Sequence, residues 1–135
     1  MTAPRRAALA GALCASLMLV ACARPPRATP PRLRELEVTA HAFTSTRGQT
    51  DDQPTLTASG RELRPGMRAL AVSPDLLALG LAFGMPVTID GLGEWIVLDR
   101  MADRHRRAID LYLGDDLEAA RRFGVRRVRM RWGDR

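Results

Sequence analysis

The sequence predicts a small, mainly β barrel with one or two short helices, and three features lead to it. Apolar residues recur at every second position over short stretches. Clusters of Gly, Pro, Asp and Ser separate those stretches. Only two segments carry helix start signals, and both are brief. Six short strands within residues 35–135 bury their apolar faces most readily by closing on one another.

The barrel is expected to begin at Glu35. Ahead of it, Arg5 and Arg6 precede the uncharged apolar stretch 7–21, which is too short for a membrane span of about 20 residues but suits the core of an export signal. The stretch ends in Leu19-Val20-Ala21-Cys22, which resembles a lipobox. Residues 1–21 are therefore expected to be a lipoprotein signal peptide, and Cys22 the lipidated first residue of the mature chain. Residues 22–34 hold four prolines and four arginines and read as an extended tether. Ala23, where an Asp would favour the inner membrane, points to the periplasmic face of the outer membrane.

The first strand is expected over Leu36–Phe43, followed by a long polar loop over residues 44–60. Met67–Val72 reads as a second strand. Ser73-Pro74-Asp75 supplies an N-cap, a proline at the first helical position and an acid in the first turn of a helix that stops at Gly80. Met85–Asp90 and Glu94–Asp99 flank Gly91-Leu92-Gly93 and read as a hairpin. Ala108–Leu113 is a further strand, and the Asp115-Asp116-Leu117-Glu118 run opens a second helix with a capping-box pattern, closed by Gly124. In the last strand Val128, Met130 and Trp132 alternate with Arg127, Arg129 and Arg131. No internal repeat is visible.

Composition narrows the chemistry. All 21 basic residues are arginine. Removal of residues 1–21 takes two of them, leaving 19 against 15 acidic residues. An exported chain has no access to nucleic acid, so anionic wall polymer and lipid headgroups are the expected partners of this positive balance. Cys14 leaves with the signal and Cys22 is acylated, so no thiol remains for catalysis, a disulfide or a metal. His41 and His105 are the only histidines, and neither has a second ligand close in sequence; no metal or other cofactor is expected. Acid–base work then falls to carboxylates. Asp99 ends the apolar run Trp95–Leu98, and Asp110 lies within Ile109–Leu113, sharing a face with Tyr112. Apolar neighbours desolvate a carboxyl and raise its pKa, as a general acid requires.

Several stretches, in this order, resemble the 3D domain of stationary-phase survival proteins and of the barrel of membrane-bound lytic transglycosylase A. They are Val38-Thr39-Ala40, Gln49-Thr50-Asp51, Pro54 to Gly60, Arg64-Pro65-Gly66, Leu70 to Leu77, Gly91 to Asp99, Ile109-Asp110-Leu111-Tyr112 and Ala119-Ala120 with Phe123-Gly124. The 11-residue step from Asp99 to Asp110 also matches. The resemblance implies a six-stranded double-psi β-barrel and cleavage of peptidoglycan glycan strands. By that resemblance Asp110 acts as acid and then base, Asp99 supports it, and Thr57, Ser59, Asp75 and His105 lie around the substrate. The chain departs from the pattern where Arg100-Met101-Ala102 replaces a glycine-rich loop and Ser73 replaces an aspartate. The alternative is a non-catalytic lipoprotein that binds the wall, or an envelope protein, through the arginine face of the last strand.

Overall fold

The computed structural model describes residues 32–45 and 55–133. The expected signal segment, Cys22, most of the expected tether and residues 46–54 of the expected polar loop lie outside the described residues. Eight elements follow in chain order: β1 (Leu33–Phe43), β2 (Ala69–Val72), α1 (Pro74–Ala78), β3 (Pro86–Ile89), β4 (Gly93–Arg100), β5 (Ala108–Tyr112), α2 (Leu117–Phe123) and β6 (Arg126–Gly133). The six strands close a mixed barrel in the order β1-β5-β2-β4-β3-β6. The strand β1 starts at Leu33, so the end of the expected tether is already paired with β6.

The pairing reveals an order that the sequence hides. Each half of the chain runs β-β-α-β, and exchanging β1 with β4, β2 with β5 and β3 with β6 reproduces the same circle of neighbours. Both parallel pairs, β1 with β5 and β2 with β4, join one half to the other. This interlocking is the double-psi arrangement. A topological two-fold thus exists without a visible sequence repeat, because strand pairing constrains the alternation of apolar residues and not their identity.

Alternation builds the interior. Val38, Ala40, Leu70, Val72, Val87, Ile89, Trp95, Val97, Ile109, Leu111, Met130 and Trp132 all face inward in one buried cluster. Burial of each large side chain contributes about 1.5–3 kcal/mol. Gly91, at φ +76°, turns the β3–β4 hairpin as expected. Two start signals act differently from the expectation. The N-cap of α2 is Asp116, which accepts the Ala119 N–H at 2.8 Å. Asp115 therefore lies outside the helix. Ser73 precedes α1 without a side-chain cap, and its Oγ instead accepts the Ala108 N–H at 3.1 Å, tying α1 to the start of β5.

Candidate active site

A second layer forms on the outer face of β5, β2 and β4. Leu63, Ala69, Leu98 and Tyr112 make one apolar cluster there, and Ala71, Met101 and Ala108 make another. Asp110 lies between them. Ile109 and Leu111 point into the barrel, so Asp110 and Tyr112 share the outward face, as the alternation predicts. Outward does not mean exposed here, since the 55–67 segment roofs part of this face.

Asp99 reaches the same face through an irregularity. In the β2–β4 ladder Leu70 pairs with Val97 but Ala71 pairs with Asp99. Leu98 is the extra residue of a β-bulge, and the bulge re-aims the side chain that follows it. On the other side of β2, Ala71 pairs with Asp110. His41 pairs with Asp110 from β1. One row therefore runs His41, Asp110, Ala71, Asp99 across four strands. The two carboxylates flank a single methyl group, with backbones about 10 Å apart at two strand spacings. The topological two-fold passes through this row, matching Ala71 to Asp110 and His41 to Asp99. The symmetric framework carries an asymmetric set of groups.

The electrostatics distinguish the two aspartates. Burial, and then the charge of Asp99, push the Asp110 carboxyl up from 3.8 to about 6. Its Oδ1 is buried without a hydrogen-bond partner among the described residues, an environment suited to the protonated form. Asp99 is held as an acceptor: its Oδ1 takes the Ala58 N–H and the Arg100 N–H, each at 2.8 Å.

The other expected residues have distinct places. Thr57 is only 4% exposed, and its Oγ1 donates to the Arg61 carbonyl at 2.8 Å. It also lies 2.8 Å from Ser59 Oγ. Both hydroxyls thus shape the turn that docks on Asp99, and Ser59 N–H extends that docking to the Leu98 carbonyl at 3.1 Å. Asp75 does not join the row. Its Oδ2 accepts the Arg107 N–H at 2.9 Å, anchoring the loop between β4 and β5. His105, from that loop, places its ring 6.4 Å from His41. Sequence reasoning passes over His41, because its only signal is strand register. Among the described residues no group of three or more His, Cys, Asp or Glu could hold a metal ion, and no helix is long and apolar enough to cross a membrane.

The arginines of β6 have partners. Arg127 meets Glu37 at 2.5 Å, Arg129 meets Glu35 at 3.4 Å and Arg131 meets Asp90 at 2.5 Å. No protein-family model matches the chain, and no curated protein matches it significantly.

Proposed function

We propose that this chain is a peptidoglycan-cleaving enzyme of lytic transglycosylase type, lipid-anchored at Cys22 on the periplasmic face of the outer membrane. The observation that carries the reading is Asp110, a half-buried carboxyl raised to about 6 and set in one row with Asp99. The 3D-domain resemblance of the surrounding stretches supplies the substrate.

Protonated Asp110 gives its proton to the oxygen between C1 of N-acetylmuramic acid and C4 of N-acetylglucosamine. The C1–O bond breaks and the glucosamine leaves as an alcohol. The Asp110 carboxylate then takes the proton of the muramoyl C6 hydroxyl, whose oxygen bonds to C1. The product is a 1,6-anhydro sugar and Asp110 is protonated again, so neither water nor a cofactor is consumed. Burial, and then the like charge of Asp99, favour the protonated form of Asp110. In the rival reading, wall binding through the β6 arginines, the polymer would have to replace the ion pairs of Arg127, Arg129 and Arg131 with Glu37, Glu35 and Asp90.

The test is to incubate the purified mature chain with peptidoglycan and look for 1,6-anhydro-muropeptides. Wild type should release them and Asp110→Asn should not. Equal absence of product from both, with equal retention on sacculi, would overturn the enzyme reading.

A further inference from the structure

The loop that joins the two aspartate-bearing strands is strongly basic. Between Arg100 and Arg107 it carries four arginines and His105 against one acid, Asp103. Arg100 pairs with Asp103, and Arg106 donates to the Asp103 and His105 carbonyls at 2.5 and 2.9 Å. Those two guanidiniums therefore brace the loop itself. Arg104 and Arg107 are exposed, and neither side chain has a partner among the described residues.

The loop is held firmly at both ends. Met101 N–H bonds to the Val72 carbonyl at 2.9 Å, and the Met101 side chain is buried against Ala71 and Ala108. At the other end the Arg107 carbonyl accepts from Thr39 at 2.8 Å while its N–H donates to Asp75. Arg107 sits at φ +45°, the one non-glycine residue with positive φ among those described. That conformation is uncommon for a long side chain and costs free energy that its two fixed backbone bonds must offset. Between these ends, His105 leans to within 6.4 Å of His41, the neighbour of Asp110 in the row. The loop therefore borders the site and presents two unpaired cations on a fixed frame.

We propose that the β4–β5 loop is a carboxylate-binding rim, in which Arg104 and Arg107 bind the acidic stem peptide attached to the glycan strand. This rests on the peptidoglycan reading above. The stem peptide hangs from the muramoyl lactyl group and carries free carboxylates, the planar anions that a guanidinium recognises best. Substrate choice follows: strands that keep their peptides should be preferred over bare glycan.

The test compares soluble glycan oligomers carrying stem peptides with the same oligomers stripped by an amidase. Binding is read by titration calorimetry on the mature chain carrying Asp110→Asn, and turnover is read as 1,6-anhydro ends with Asp110 intact. Added Arg104→Ala and Arg107→Gly should weaken binding of the peptide-bearing oligomer roughly threefold to tenfold, the range of two exposed ion pairs. Binding of stripped oligomer should stay unchanged, and added salt should erase the preference. Glycine accepts φ +45°, so the second change does not distort the loop; Arg104→Ala alone carries the test if the pair fails to fold. Equal affinity for both oligomers, or an equal loss on both, overturns the rim. Preference without any anhydro product overturns the catalytic reading and leaves the rim standing. Product without preference does the reverse.

Discussion

Asp110 carries the proposed chemistry and also a cost. Its folded value of about 6 lies above the ordinary 3.8, so the folded state binds the proton more tightly than the unfolded chain. The stabilising contribution is complete below 3.8 and is lost as pH rises through about 6. The difference corresponds to about 3 kcal/mol at neutral pH. Asp110→Asn should therefore raise stability at pH 8 by up to about 3 kcal/mol and flatten its pH dependence between 4 and 6, as read by urea melts across pH. By the proposed mechanism, release of anhydro product should fall about tenfold per pH unit above 6, following the protonated fraction. Asp99→Asn removes the like charge, so that limb should move to lower pH. The same change also weakens the anchoring of Ala58, lowering stability by about 1 kcal/mol. An unmoved pH limb in Asp99→Asn would show that the two carboxylates act independently.

The elements carry devices that hold these side chains in place. The bulge at Leu98 is one, and the Ser73–Asp75 attachment of α1 to the β4–β5 loop is another. Burial works against the Asp75 charge, but the Ser73 hydroxyl and the Arg107 N–H more than compensate, holding its pKa below 3.8. Its contribution has the opposite sign to that of Asp110: it is present above 3.8 and is lost as pH falls through the lower folded value. Asp75→Asn should remove part of the acid-side loss of stability, seen as a flatter melt profile below pH 4. The strand β6 presents a plainer case. Its three ion pairs, two across to β1 and one to Asp90 in the β3–β4 turn, are exposed, and such pairs contribute at most about 1 kcal/mol each. The triple change of Arg127, Arg129 and Arg131 to Ala should leave glycan binding intact by pull-down with sacculi. Loss of binding there would favour the non-catalytic wall-binding module.

For the whole molecule, closure is the decisive event. The pairing of β1 with β6 joins the two ends of the described chain, and the two halves interlock. Such non-local contacts slow folding to roughly milliseconds or seconds. Met130→Ala, at a fully buried interior position, should cost about 2–5 kcal/mol in chemical denaturation, against less than 1 for any one of the β6 arginines. The sequence alone determined the alternation that makes the six strands, the Gly91 hairpin and the outward face of Asp110. Those features are local, and local periodicity records them. Only the tertiary structure decided that Asp99 turns towards Asp110, that His41 joins their row, that Thr57 and Ser59 shape a turn, and that Asp75 holds a loop. The physical reason is common to all four. Strand register and a single extra residue at Leu98 place groups across strands distant in sequence, and no periodicity along one strand specifies which neighbour it will meet.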